Sequence, residues 1–283
     1  MIEIRHRETG RVLRRVDADS LVGADLRDDV LDGADLRDMD LSHCWLQEAD
    51  LKGADLSGAI IEGAILIRTH LEGADLRGAR LAGARLSDGS PGSGAVLAGC
   101  DLREALIDSC DLRYADLHGA NLSGARIQRT DMSDACLQRA DLTHAVIDGS
   151  LLIECMLREA DLSDGIFYNT HMNGAKLIGA RLDRAKFGGP DGVPAVLNLA
   201  DMREASLVGA DLRGVSMRDV NLHRANLTGA DLSGSLMMGS VLRHADVTEA
   251  NFRDVALITV NITFANFSKA RNADIPAFKQ NVR

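Results

Sequence analysis

Regularly spaced carboxylates are the feature of this chain with the clearest chemical potential. Aspartates recur at a constant interval along the chain, with one longer interval and one position taken by asparagine. The acidic positions are Asp35, Asp55, Asp75, Asp101, Asp141 and Asp161. If one turn of the folded chain takes up this interval, these carboxylates form a column of negative charge. Such a column attracts a basic groove of the kind that binds DNA.

The charge of the whole chain agrees with an acidic binding surface. The sequence has 42 acidic and 32 basic residues, which gives a formal charge of −10. A protein that contacts nucleic acid directly usually presents a basic surface, because it must neutralise phosphates. We therefore expect a basic protein as partner, and no direct contact with nucleic acid.

The sequence contains no recognisable catalytic or metal-binding motif. The eight histidines are scattered, and the HExxH, GxGxxG, P-loop and GxSxG patterns are absent. The five cysteines include no CxxC pair, which is typical of buried thiols in a reducing cytoplasm. We expect a cytoplasmic protein with no enzymatic activity, metal or cofactor. No apolar run reaches the ~18 residues needed to span a membrane, so no membrane contact is expected.

The structure that positions the carboxylates is indicated by an apolar residue that recurs every five residues. An apolar residue falls at every fifth position over 21–86, 97–187 and 197–267, for 48 central residues in all, and Ala lies two places before 30 of them. A helix would turn ~500° in five residues and scatter the central residues around every face. A strand would place successive ones on opposite faces. A chain that turns a corner every five residues instead points each central residue and the small residue before it inward.

The five-residue repeat resembles the A(D/N)LXX repeat of the pentapeptide-repeat family. Two consecutive copies are Ala49-Asp50-Leu51-Lys52-Gly53 and Ala54-Asp55-Leu56-Ser57-Gly58. The resemblance covers residues 19–270 and implies an all-β fold. The implied fold is a right-handed quadrilateral parallel β-helix with four repeats per coil and about 12 coils, each rising ~4.8 Å. In that fold the aspartates above stack on one face.

Three parts of the chain interrupt or flank the repeat. Residues 1–18 predict a β-hairpin-like N-terminal cap, and residues 271–283 predict a C-terminal cap or tail. Two projecting loops are predicted at 87–96 and 188–196, although the second could instead be one degenerate side of a coil built around Gly192. The loop residues that we select as candidate contacts are Asp88, Ser90, Pro91, Pro190, Asp191 and Val193.

Apolar residues at outward positions form two further candidate surfaces. One set could mark a protein interface or simple drift of the repeat; it comprises Val146, Leu151, Met156 and Ile166. The other set gathers at the C-terminal end, where we predict a cap, a homodimer interface, or both. Its members are Phe264, Phe267, Ile275 and Phe278.

The acidic repeats and the two loops are similar to the gyrase-protecting, quinolone-resistance branch of the family. That resemblance implies a non-enzymatic rod that mimics DNA, binds DNA gyrase or topoisomerase IV, and protects it from poisons. The alternative is an interaction scaffold without DNA mimicry. Triplets such as Asp75-Leu76-Arg77 favour the alternative, because a nearby arginine partly neutralises each carboxylate.

Overall fold

The computed structural model describes residues 1–188 and 192–279 and divides the chain into two compact units, residues 1–141 and 142–283. The first unit contains β1 (Ile2–His6), β2 (Val12–Val16), β3 (Ala34–Asp35), β4 (Leu106–Asp108) and β5 (Arg126–Gln128). The second contains β6 (Val146–Asp148), β7 (Ile166–Tyr168) and a 3₁₀ turn at Ala277–Lys279. No α-helix occurs among the described residues.

Single-residue parallel bridges connect successive turns of the chain within each unit. The residue before each central residue pairs with its equivalent four repeats later, as in Asp35–Asp55 and Asp40–Ile60. The Leu36 amide donates to the Asp55 carbonyl and the Asp55 amide donates to the Ala34 carbonyl, each at 2.8 Å. One turn therefore takes four five-residue repeats, and each unit forms a parallel β-helix.

The interior holds the central residues and the small residues that precede them. Leu36, Leu56 and Leu76 lie one above another and are at most 1% exposed. Some small positions carry a hydroxyl, as Thr69 does. The Thr69 hydroxyl donates to the Leu46 carbonyl of the preceding turn at 2.7 Å, so a buried polar group keeps its hydrogen bond.

The corners of each turn use a left-handed backbone. The second residue after the central one has a positive φ, for example 58° at Gly53 and 56° at Asp38. Glycine adopts this conformation without a steric cost, which explains its abundance in the sequence. Other residue types bear a cost of about 1 kcal/mol at such a position.

The N-terminal strands cover the first open edge of the helix. β1 pairs antiparallel with β2 and, on its other side, with β3 through Arg5–Asp35 and His6–Ala34. An edge strand left unpaired would expose a row of backbone donors and acceptors. The hairpin therefore serves as a lid on the first turn.

The first loop is an insertion that leaves the helix undisturbed. Asp75 pairs with Asp101, whereas the regular spacing would pair it with Ala95. The Ala95 amide instead closes the loop on the Leu86 carbonyl at 2.7 Å. The Arg68 amide donates to the Ser93 carbonyl, whereas the regular spacing would direct it to the Ser87 carbonyl. Ser93 therefore occupies the position that Ser87 would take in a regular repeat. The segment 87–92 is thus additional to the repeat.

Deletion of residues 87–92 is expected to preserve the fold. It leaves Ala84-Arg85-Leu86 followed directly by Ser93-Gly94, which is a regular repeat unit. We expect the midpoint of thermal unfolding to change by only a few degrees, corresponding to less than about 1 kcal/mol. Circular dichroism during heating measures this. A loss of the cooperative transition would show that the loop is part of the helix rather than an insertion.

Candidate partner-binding surface

The first unit carries nearly all of the net negative charge of the protein. Residues 1–141 contain 26 acidic and 17 basic side chains, whereas residues 142–283 contain 16 and 15. The formal charges are therefore −9 and −1. A basic partner is attracted to the first unit far more strongly than to the second.

The predicted carboxylates of the first unit lie in one line, which we call the Asp column. Successive bridges join its members, each about one strand spacing (~4.8 Å) from the next. The Asp column consists of Asp35, Asp55, Asp75, Asp101, Asn121 and Asp141. Asp161 belongs to the second unit, where it pairs with Arg181 along the ladder and lies 3.5 Å from its guanidinium.

Arginines hold three carboxylates of the Asp column. Arg77 donates to Asp75 through Nε at 2.8 Å and through Nη2 at 2.5 Å, and the same pairing joins Arg103 to Asp101 and Arg37 to Asp35. These hydrogen bonds hold the pKa of each of the three carboxyl groups below its usual range. The Asp-Leu-Arg triplets thus reduce the negative charge that the column presents.

Asp55 shows the alternative arrangement within the Asp column. The hydroxyl and amide of Ser57 both donate to its carboxylate, at 2.6 and 3.1 Å. The nearest cation is Arg37, whose Nε lies 3.5 Å from Asp55 Oδ2. A serine in the arginine position therefore fixes the aspartate without the two close guanidinium hydrogen bonds seen at Asp75, and leaves only the longer ion pair with Arg37.

Further carboxylates lie on the neighbouring ladder of the first unit. Asp50 and Asp116 accept a hydrogen bond from the amides of Lys52 and His118, and neither forms an ion pair with another described residue. Both occupy the same repeat position as the Asp column. The sequence pattern missed them because valine and histidine interrupt their ladder.

The first loop is anchored to the turn that follows it. A side chain at Gly94 would collide with the Tyr114 carbonyl, and one at Gly89 would meet the Arg113 guanidinium at 2.5 Å. Within the loop, the amide and hydroxyl of Ser90 donate to Asp88, which lowers the pKa of that carboxyl to about 2. Asp88, Ser90 and Pro91 are not buried and are available to a partner.

The second loop follows the same plan. The Ala195 amide closes it on the Phe187 carbonyl at 2.8 Å, and His171 pairs with Val196, one repeat unit beyond the regular spacing. These contacts identify an insertion of one repeat length rather than a degenerate side of a coil. Gly192 lies against the ring of Tyr168. Val193 is 63% exposed, and Pro190 and Asp191 lie outside the described residues.

The four outward apolar residues do not form one patch, which corrects the sequence-based interpretation. Val146 and Ile166 are adjacent partners in β6 and β7. Leu151 pairs instead with His171, and Met156 pairs with Lys176, on two other ladders. Residues five apart belong to different ladders, so proximity in sequence does not bring them together.

The C-terminal end of the second unit contains an open cavity of about 760 Å³, lined by Phe264, Phe267 and Ile275 among others. Phe267 packs on the buried Phe252, with ring centroids 5.3 Å apart. Phe278 is 69% exposed. The neighbouring Lys279 anchors the tail by donating to the carbonyls of Leu257 and Val260 at 2.9 and 2.6 Å.

Reactive groups are sparse within residues 1–188 and 192–279. That part of the chain contains no group of three or more His, Cys, Asp or Glu side chains able to hold a metal ion. Burial raises the pKa of the Cys44 thiol to about 11 and of the Cys110 thiol to about 12, which keeps both protonated. No helix in the described ranges is long and apolar enough to cross a membrane.

Comparison with known families identifies the repeat. The family model described as Pentapeptide repeats matches residues 20–88, 93–129, 135–189 and 195–271. The chain belongs to the pentapeptide-repeat family. Pentapeptide-repeat proteins fold as right-handed parallel β-helices, which agrees with the ladders seen in each unit. No curated protein matches the sequence significantly.

Solved structures of other pentapeptide-repeat proteins resemble this one. HetL from the cyanobacterium Nostoc sp. strain PCC 7120, involved in heterocyst differentiation regulation, is 29% identical over 77% of this chain and 86% of its own, with a TM-score of 0.32. A trypsin-treated form of QnrB1, a plasmid-mediated fluoroquinolone resistance protein, is 18% identical over 79% and 88%, with a TM-score of 0.42. With TM-scores below 0.5, neither adds to the family assignment, which rests on the repeats.

Proposed function

We propose that this pentapeptide-repeat protein is a non-enzymatic, cytoplasmic binding protein that mimics DNA. Its first unit docks on the basic DNA-binding groove of a type II topoisomerase, DNA gyrase or topoisomerase IV, and protects that enzyme from poisons. The observation that carries the proposal is the concentration of net charge, −9 of −10, in the unit that holds the Asp column. A four-sided cross-section and a total of about 12 coils are part of the same proposal.

The spacing of the charges supports this mode of binding. Carboxylates one strand apart repeat every ~4.8 Å along the ladder, whereas duplex DNA carries one charge per ~1.7 Å of its axis. The protein is thus a weaker polyanion than DNA, which suits a ligand that competes for the groove and then leaves. The two loops offer exposed residues beside the ladders for additional contacts with the enzyme.

Gyrase supercoiling assays test the proposal. Purified protein should inhibit supercoiling, or restore it in the presence of a poison, and the effect should weaken as salt rises because exposed charges are screened. Deletion of residues 87–92 should reduce the restoration while leaving the fold intact. The proposal fails if micromolar protein has no effect at low salt.

One observation favours an interaction scaffold without DNA mimicry as the second candidate. Arginines bind three carboxylates of the Asp column at close range, so a partner meets a mixed surface there. A scaffold of this kind would bind its partner with little dependence on salt. It would also leave topoisomerase activity unchanged.

We further propose that the protein forms a homodimer through its C-terminal end. The exposed Phe278 and the open cavity that Ile275 lines would be covered by a second copy. Replacing Phe278 and Ile275 by Asp should therefore yield monomers, because a buried charge without a partner is costly. Light scattering measures the mass. An unchanged mass for the variant would remove the dimer.

A further inference from the structure

A cationic and aromatic corner lies on the second unit, opposite in character to the acidic first unit. Arg224, His244 and Phe264 are separated by equal intervals, each the length of one turn, and occupy the same repeat position in successive turns. His223 and Arg243 lie beside them at the preceding position of two of these repeats. We call these five residues the Arg-His-Phe corner. The sequence pattern missed it because the histidines were considered singly.

The rings of the Arg-His-Phe corner are stacked. His244 and Phe264 lie nearly parallel, with centroids 4.9 Å apart and an angle of 15° between the planes. The ring of His223 meets His244 edge-on at 5.5 Å. Phe264 is 49% exposed and also lines the cavity at the C-terminal end. A flat aromatic surface is thus open to solvent at the rim of a cavity.

The backbone under this stack is of a kind that large side chains rarely adopt. Arg224 and His244 have φ of 59° and Phe264 has φ of 58°. Glycine holds the equivalent corner position at Gly209 and Gly229, which follow one neighbouring ladder, at no steric cost. Other corners of the chain hold large side chains on the same backbone, as at His144, Asp164 and Arg184, so the three residues fit the ordinary corner geometry.

Positive charge at the corner is incompletely balanced. Arg243 has no ion pair with any other described residue, and Arg224 reaches Glu204 only at 3.9 Å. The nearby Asp201 is bound by Arg203, and Asp246 accepts from Thr248 and Asn266. Partial desolvation lowers the pKa of His244, and so do the groups that face it, Arg243, His223 and Arg224.

We propose that the Arg-His-Phe corner binds an acidic peptide segment of a partner protein. Carboxylates of the segment pair with Arg224 and Arg243, while one of its aromatic side chains packs on the Phe264 ring. Charge complementarity selects this occupant, because a cationic site on a protein of net charge −10 admits a short acidic segment locally while repelling a long polyanion. The peptide site does not depend on topoisomerase binding. Because Phe264 also lines the C-terminal cavity, the peptide competes with the proposed homodimer for that ring.

Binding should strengthen as the solution becomes more acidic. At neutral pH His244 is largely uncharged, since desolvation and the cations around it lower its pKa. A bound carboxylate offsets those cations and favours the protonated ring, so proton uptake accompanies binding. Between about pH 7.5 and 5.5 the affinity should rise about fivefold, while glutamate carboxylates remain ionised.

Fluorescence anisotropy with a labelled Glu-Glu-Trp-Glu-Glu peptide tests the proposal on the full chain. The double substitution R224G/R243S should weaken binding about tenfold, since two charge-assisted contacts are lost. Glycine at 224 suits the left-handed backbone, so the variant should keep its thermal unfolding midpoint. Phe264→Gly should abolish the preference for this peptide over Glu-Glu-Ala-Glu-Glu.

The matched control is R184G/R213S. It removes the same two charges from the same repeat positions elsewhere in the second unit, where both arginines are bound by aspartates. Its affinity for the peptide should stay within about twofold of the parent. Equal weakening in both doubles, absence of saturable peptide binding, or binding of a labelled oligothymidylate in place of the peptide would each overturn the assignment.

Discussion

Replacing Arg77 and Arg103 by serine is expected to strengthen binding to the topoisomerase about tenfold at low salt. Each arginine now covers a carboxylate of the Asp column through two or more hydrogen bonds. Serine at the equivalent position of Asp55 keeps the aspartate in place through its amide and hydroxyl. The double variant therefore exposes two further charges on adjacent turns without disturbing the ladder.

The control for this gain is R203S/R213S. Both of these arginines hold an aspartate in the same triplet, but they lie in the second unit on other ladders. The control changes the net charge equally and should leave the affinity within about twofold. Isothermal titration with purified gyrase at low and high salt measures both variants. An equal gain in affinity for the control would show that net charge alone, and not the Asp column, determines binding. No gain in affinity for either variant would favour the interaction scaffold without DNA mimicry.

The second large effect is expected in the core of the first unit. Leu76→Ala should lower the free energy of unfolding by about 2–5 kcal/mol, because it deletes a fully buried side chain and leaves a cavity that neighbours cannot fill. Chemical denaturation followed by circular dichroism measures the loss. The comparison residue is Leu106, which carries the same side chain at the outward position of another repeat.

Leu106 is 43% exposed, so Leu106→Ala should change the free energy of unfolding by no more than about 0.5 kcal/mol. The two substitutions remove identical atoms from positions that differ only in their place within the repeat. Similar losses for both would contradict the assignment of inward and outward positions.

The inward-facing residues could be predicted from the sequence, because packing in the interior constrains them. A central Leu at every fifth position can be buried only if the chain turns after each repeat, and the ladder through Leu36, Leu56 and Leu76 follows from that requirement. The Asp column of the first unit followed as well, since it occupies one fixed repeat position. The first loop could be placed because its length displaces the phase of the repeat.

The contacts of the outward-facing residues could be predicted only in part, because interior packing does not constrain these residues. The arginine partners of Asp75 and Asp101 were foreseeable from spacing, but the bare carboxylates of Asp50 and Asp116 lie on a ladder that the pattern does not mark. Apolar residues close in sequence were grouped wrongly, since each corner separates them. The Arg-His-Phe corner carried a usable signal, namely the even, one-turn spacing of Arg224, His244 and Phe264.

The division of charge between the units required the structure. The sequence shows −10 for the whole chain, and only the boundary after Asp141 assigns nearly all of it to one unit. Likewise, nothing in the repeat predicts that β1 pairs with β3, because the hairpin lies outside the pattern. Its docking depends on the open backbone edge of the first turn, which is a property of the folded helix.

Competition with duplex DNA for gyrase tests the central claim most directly. Labelled duplex is first bound to the enzyme, and its fluorescence anisotropy is followed as the protein is added. DNA mimicry predicts that the protein displaces the duplex competitively, more effectively at low salt, and most effectively as the R77S/R103S variant. A ternary complex in which the protein binds while the duplex stays on the enzyme would contradict it.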